Sequence, residues 1–166
     1  MSILIVVFLI VLIFITLTKK TEKEQWLQKE NMPDDLYNSK LFLSEEQITT
    51  NTPIALHGRV DQVFKTDDDL LIPIETKTRK YHRIYSSDII QLSVYRILLT
   101  QKYNYPVANY GYVRTVVINN TTKEKNVRYT KRALLDDSYM IDLWRRYHAI
   151  KSGEVNVSCS CGGRLH

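Results

Sequence analysis

Short runs of alternating hydrophobic and polar residues mark the middle of the chain as a β-sheet. Residues 54–64 are rich in β-branched and aromatic side chains, residues 67–69 are three aspartates, and residues 70–76 form a second apolar run. This pattern predicts two adjacent strands joined by a polar turn. Further strands are predicted at residues 41–48, 107–118 and 127–129.

Two segments have the hydrophobic period of a helix. Residues 88–103 carry an apolar face, and Ser86-Ser87-Asp88 is a helix-start signal. Residues 136–151 form a second amphipathic segment that ends before Gly153. Together with the strands they predict an α/β fold in which a mixed sheet is flanked by helices.

Residues 2–18 contain no charged side chain and end abruptly at Lys19 and Lys20. As a helix this run would be about 25 Å long, at the short end of what spans a bilayer. We expect a single transmembrane helix with the rest of the chain in the cytoplasm, because the two lysines follow it directly. A signal peptide and a buried core helix are the alternatives; no basic residue precedes the run, and its end is a poor cleavage site.

The chain is therefore divided into four parts. Residues 1–18 are the predicted membrane anchor, 19–38 a juxtamembrane helix and linker, 39–153 the globular domain and 154–166 a cysteine-containing tail. The net charge of +5 of the 166-residue chain lies wholly beyond residue 18. Such a basic domain suits either a nucleic acid or an anionic membrane surface.

Candidate chemistry lies on the two central strands. Glu75 and Lys77 are two residues apart, so they project from the same face of their strand. If Asp61 lies opposite them, two carboxylates and an ammonium group converge. With the backbone carbonyl of Thr76, the carboxylates suit Mg²⁺ or Mn²⁺, while a lysine beside them suits phosphodiester hydrolysis. The alternative is an ordinary solvated strand face.

Three motifs occur in order around these residues: G-x-x-D at residues 58–61, P-x-E-x-K at 73–77 and Q-x-x-x-Y at 91–95. The arrangement resembles the PD-(D/E)xK nuclease superfamily, and within it the RecB-like and CRISPR-associated single-strand exonucleases. The resemblance covers residues 39–118. It implies a restriction-endonuclease-like sheet and a metal-dependent nuclease that acts on single-stranded DNA or duplex ends.

Carried over by position, the resemblance implies that Asp61 and Glu75 bind the metal and that Lys77 is the catalytic lysine. Gln91 and Tyr95 would flank the active site or the DNA. Val60 stands where the family name has Pro. Relatives often add a His or Glu ligand from upstream, for which the candidates here are Glu24, Glu30, Glu45 and Glu46, with His57 as a candidate additional site residue.

Arg79, Lys80 and Arg83 follow the motif lysine closely and are expected to bind backbone phosphates. The chain has only two cysteines, Cys159 and Cys161, too few for a four-cysteine iron–sulfur cluster within one molecule. With His166 they could bind zinc across a dimer, or they are reduced thiols.

The sequence therefore predicts a membrane-anchored, Mg²⁺- or Mn²⁺-dependent deoxyribonuclease of exonuclease type. A membrane-tethered module that binds nucleic acid without catalysis is the main alternative. An adaptor that binds the lipid surface is the third.

Overall fold

A mixed β-sheet flanked by helices forms the frame of the protein in the computed structural model, which describes Phe8 and residues 30–155. Within that part the sheet has five strands, and its spatial order follows the chain order. The strands are β1 (Lys40–Thr50), β2 (Leu56–Lys65), β3 (Leu71–Thr78), β4 (Tyr110–Ile118) and β5 (Lys125–Ala133). The helices are α1 (Asp34–Tyr37), α2 (Ser86–Lys102) and α3 (Asp137–Lys151).

The pairing of the strands confirms the predicted α/β class. β1, β2 and β3 pair antiparallel, β3 and β4 pair parallel, and β5 returns antiparallel to β4. Antiparallel strands can be joined by short turns, whereas a parallel pair needs a crossover, which α2 supplies. β5 is longer than the predicted strand at residues 127–129, because lysines and arginines on this edge strand mask its pattern.

The central strand β3 is buried on both faces. Its residues from Leu71 to Glu75 are all buried, since α2 covers one face of the sheet and α1 the other. Leu71 belongs to the core beneath α2, and Ile72 and Ile74 to the core on the opposite face. A charged residue at position 75 therefore lies in an otherwise apolar environment.

Helix α2 begins two residues earlier than predicted. Asp88 is not the residue at which the helix starts; it lies in the first turn and accepts a hydrogen bond from the backbone N–H of Tyr85 at 2.9 Å. Its carboxylate thus satisfies an amide that the helix itself leaves unpaired.

The same carboxylate fixes the loop between β3 and α2. Arg79 donates two hydrogen bonds to Asp88, at 2.7 and 2.6 Å, and the Asp88 side chain is only 1% exposed. Burial raises the pKa of Asp88, but the hydrogen bonds from Arg79 and from the Tyr85 backbone outweigh it, so the pKa lies below the ordinary 3.8. This ion pair therefore stabilises the folded state most when Asp88 is ionised.

The predicted membrane anchor at residues 1–18 lies outside the described residues, apart from Phe8. In the part that the structure describes, no helix has the length and apolar character needed to cross a bilayer.

We expect Gly111→Ala to lower the free energy of unfolding by about 1–3 kcal/mol. A β-carbon at position 111 would lie 2.8 Å from the backbone carbonyl oxygen of Pro73, which cannot move without shifting β3. Urea denaturation followed by tryptophan fluorescence measures the change. Gly58→Ala is the matched control, because its β-carbon would meet only the Leu98 and Tyr95 side chains, at 3.1 and 4.0 Å. Equal losses in the two variants would contradict this explanation.

We expect Asp88→Asn to lower the free energy of unfolding at neutral pH by about 1–3 kcal/mol, since Arg79 loses its ionised partner. A carboxyl group whose folded pKa is depressed stabilises above its unfolded pKa, and that contribution is lost as the pH falls through the folded value. The deficit of the variant should therefore stay constant above pH 3.8 and shrink below it.

Urea unfolding at a series of pH values measures this difference. Asp137→Asn is the control, because it removes a more exposed ion pair with Arg96 and should cost less than about 1 kcal/mol. A deficit for Asp88→Asn that is the same at every pH would show that the charge of Asp88 is not what stabilises the loop.

Candidate active site

The buried carboxylate of Glu75 is the centre of a chain of hydrogen bonds between β3 and α2. Its side chain is 3% exposed. The Lys77 ammonium lies 2.5 Å from Oε1 of Glu75, and the Tyr95 hydroxyl donates to Oε2 at 2.6 Å. Both oxygens of the carboxylate thus have a partner, as a buried charge requires.

Gln91 closes this chain into a ring. Its amide nitrogen donates to the Tyr95 hydroxyl at 2.7 Å, and its Oε1 accepts from the Lys77 ammonium at 2.9 Å. Gln91 and Tyr95 are neighbours on one side of α2 because they are four residues apart, and Glu75 and Lys77 share one face of β3. The structure therefore brings together four of the predicted site residues.

Asp61 reaches the site from β2 at the point where β2 and β3 separate. The paired register of these strands ends at Gln62 and Ile74. Beyond it, Oδ2 of Asp61 accepts a hydrogen bond from the backbone N–H of Thr76 at 2.9 Å. The carboxylate thus takes the place of a strand partner beside Glu75.

A break in the alternation of β2 explains this position. Val60 and Val63 are both fully buried in the core beneath α2, although residues three apart in a regular strand point to opposite faces. Pairing with β1 is continuous from Val60 to Val63, but Glu45 on β1, between the partners of Val60 and Gln62, has a positive φ of 58°. The alternation of side chains therefore changes where the two strands pass Asp61.

Electrostatics couple the two carboxylates. Burial raises the pKa of Glu75, and the negative charge of Asp61 raises it further, against the lowering effect of hydrogen bonds from Lys77 and Tyr95. Burial and the adjacent Glu75 also raise the pKa of Tyr95, so the phenol remains a hydrogen-bond donor. The carboxylates of Asp61 and Glu75 therefore lie close enough to repel each other.

The two neighbouring carboxylates, Asp61 and Glu75, are the groups that a divalent metal would have to fit. Two oxygen ligands that repel each other would be relieved by Mg²⁺ or Mn²⁺, and carboxylate and carbonyl oxygens are what these ions prefer. Asp61 and Glu75 thus fit the ion chemically. Within residues 30–155, no three His, Cys, Asp or Glu side chains are already grouped as a metal site.

Asp61 and Thr76 also line a cleft of about 210 Å³ on the sheet face opposite α2. Two candidate upstream ligands, Glu30 and Glu45, line the same cleft, as do Arg114 and Tyr129. Glu46 instead accepts a hydrogen bond from Tyr103 at 2.8 Å, and Glu24 lies outside the described residues. Of the four candidate upstream ligands, Glu30 and Glu45 are thus the two that line the cleft.

The cations of the predicted phosphate-binding loop differ in their exposure to solvent. Arg79 is engaged by Asp88, whereas Lys80 and Arg83 are exposed. His57 is also exposed, on β2 opposite Thr49. Cys159, Cys161 and His166 lie outside the described residues.

Sequence reasoning missed Arg114 and Tyr129 as cleft residues. Arg114 is the one charged residue of β4, which is otherwise apolar or uncharged. A single cation in a central strand was the available signal, because such a residue needs a partner.

Comparisons with known proteins leave the family open. No protein-family model matches the chain, and no curated protein matches it. Among solved structures, the chain is similar to one described as the crystal structure of SSO0001, with a TM-score of 0.44 and 15% sequence identity. The similarity covers 83% of this chain and 60% of the SSO0001 chain, so the chain spans less than two thirds of that protein's length.

Proposed function

We propose that this chain is a metal-dependent nuclease of the PD-(D/E)xK type, with a restriction-endonuclease-like core and a membrane anchor in residues 1–18. The observation that carries the proposal is the ring of Glu75, Lys77, Gln91 and Tyr95 next to Asp61. Solvated strand residues have no need for burial or for partners on a helix, whereas catalytic groups must be held in place.

Each residue has a role in this proposal. Asp61 and Glu75 hold Mg²⁺ or Mn²⁺, which when bound polarises the scissile phosphate and acidifies a water molecule. The ammonium of Lys77 is fixed between Glu75 and Gln91, so its charge is in place to stabilise negative charge that develops on the phosphate. Tyr95 orients Glu75 through its hydroxyl.

The substrate is DNA, as single strands or duplex ends, and Lys80 and Arg83 supply exposed cations for its backbone. The alternative is a membrane-tethered module that binds nucleic acid without cutting it. One observation favours this alternative: both oxygens of Glu75 already have protein partners. Metal dependence separates the two functions.

We expect the full 166-residue chain, purified in mild detergent, to cut labelled DNA with Mg²⁺ or Mn²⁺ but not with EDTA. Glu75→Gln and Lys77→Met should each lower the rate by about 100-fold or more, the usual effect of removing one charged group at a reacting centre. Product ladders from single-stranded and duplex DNA measure rate and mode of attack.

Glu124→Gln and Lys102→Gln make the same charge changes at exposed positions and should leave cleavage unchanged. An inert wild-type chain that binds DNA equally well with EDTA and with either metal would contradict the nuclease proposal. That result would favour the non-catalytic module.

We expect Tyr95→Phe to raise the Mg²⁺ concentration for half-maximal cleavage by about 10–100-fold, because Glu75 loses the hydroxyl that orients it. A metal titration of the cleavage rate measures the shift. Tyr103→Phe is the matched control, since its hydroxyl bonds Glu46 instead. A titration curve identical to that of the wild type would remove Tyr95 from the site.

A further inference from the structure

Arg114 lies on the strand next to the candidate catalytic pair. In the parallel register of β3 and β4, Arg114 is the partner of Thr76, whose backbone N–H is held by Asp61. The Arg114 side chain is 18% exposed and lines the same cleft as Asp61. A largely buried guanidinium group therefore lines the cleft beside Asp61, on the sheet face opposite α2.

Three donors in this cleft converge on one carboxylate. Arg114 binds both oxygens of Glu30, with Nε 3.0 Å from Oε2 and an Nη 2.5 Å from Oε1. The Tyr129 hydroxyl donates to Oε2 of Glu30 at 2.9 Å. Nε of Arg114 also lies 3.1 Å from the Tyr129 hydroxyl, which places the donors next to each other.

The donors are suited to an anion at any physiological pH. An arginine remains charged throughout the range in which proteins fold. Burial raises the pKa of Tyr129, and the adjacent Glu30 charge raises it further, so the phenol keeps its proton. The guanidinium fork matches the oxygens of a carboxylate and those of a phosphate equally well.

Glu30, whose carboxylate binds Arg114, lies outside the sheet. Glu30 belongs to the turn that precedes α1, and the next residue, Asn31, has a positive φ of 53°. Among the described residues, the side-chain hydrogen bonds of Glu30 are those to Arg114 and Tyr129. Glu30 thus belongs to none of the strands and helices of the described residues.

We propose that Arg114 and Tyr129 form a binding site for a phosphodiester group of the nucleic acid, and that Glu30 fills this site in the free protein until the nucleic acid displaces it. The inference rests on the proposed function for its ligand. The cleft of about 210 Å³ is smaller than the roughly 300–1,000 Å³ of a typical small-molecule pocket. It therefore suits one phosphate group at a time, beside Asp61.

A purely structural ion pair is the competing explanation for the same contacts. Burying two charges costs desolvation energy, and apolar residues of similar size often serve stability as well or better. A structural pair predicts that removing the Glu30 charge weakens the fold and leaves DNA affinity alone. Displacement by substrate predicts that removing the Glu30 charge strengthens DNA binding.

The first test is the affinity of the full chain for a fluorescent single-stranded oligodeoxynucleotide in EDTA. We expect Glu30→Gln to tighten binding on the order of tenfold, since the phosphate no longer competes with a charged side chain. Arg114→Gln should weaken binding, and in the double variant the gain from Glu30→Gln should disappear. Glu124→Gln and Arg132→Gln are controls that make the same charge changes at exposed sites.

Tyr129→Phe tests the site without changing any charge. It therefore leaves the ion pair between Arg114 and Glu30 intact if Glu30→Gln or Arg114→Gln damages the fold. It should weaken binding severalfold, because one donor to the anion is lost. Thermal unfolding scans establish that each variant is folded.

Cleavage kinetics separate this inference from the proposed function. If the chain cuts DNA, Glu30→Gln should lower KM, as expected for a group that competes with substrate binding. If the chain cuts nothing, Arg114-dependent tightening by Glu30→Gln in EDTA still supports the anion site. Affinity changes for Glu30→Gln that equal those for Glu124→Gln overturn it, whether or not DNA is cut.

Discussion

The burial of one charged group, the Glu75 carboxylate, dictates the arrangement of everything around it. An ionised carboxyl group in an apolar core is tolerated only when its oxygens are bonded and its charge is matched. Tyr95 satisfies one oxygen and Lys77 the other, so α2 must present its polar side to β3 at this point. The same helix packs Leu92, Leu98 and Leu99 into the core, so α2 covers the sheet and satisfies this charge together.

The separation of β2 from β3 supplies the second carboxylate. A sheet that continued in register would use the amide of Thr76 in its ladder, and Asp61 would be one more strand residue. Because the register ends at Gln62, the amide bonds the Asp61 side chain instead. The Asp61 side chain thus accepts a backbone hydrogen bond that holds its carboxylate in place. Strand irregularities near functional sites often position a side chain in this way.

Local patterns were enough to predict much of this arrangement. Alternation gave β1, β2 and β3, and the helical period gave α2 and α3, because each element buries a face of its own. The spacing of Glu75 and Lys77 placed them together since strand geometry fixes residues two apart. The ring through Gln91 and Tyr95 needed the family resemblance, because no local rule says which side of a helix meets which strand.

Other features depend on tertiary contacts that sequence spacing does not encode. The length of β5 was hidden by its charges, which an edge strand can expose to water. The partners of Arg114 lie 84 and 15 residues away in the chain. The hydrogen bonds from Arg79 to Asp88 were likewise not predicted, since Asp88 already had a sufficient local reason to lie near a helix start.

Lys77 and Arg114 are each paired with a glutamate side chain. Lys77 is paired with Glu75 and Arg114 with Glu30. In our proposal a phosphodiester exchanges only the partner of Arg114. Exchange requires little reorganisation of the donors, because they already point at an oxyanion, and a preorganised site loses less entropy when its ligand arrives. The two pairs differ in one respect that matters for function. Glu75 lies in the central strand beside Lys77, whereas Glu30 precedes the sheet, so Glu30 is the carboxylate that a phosphate would displace in our proposal.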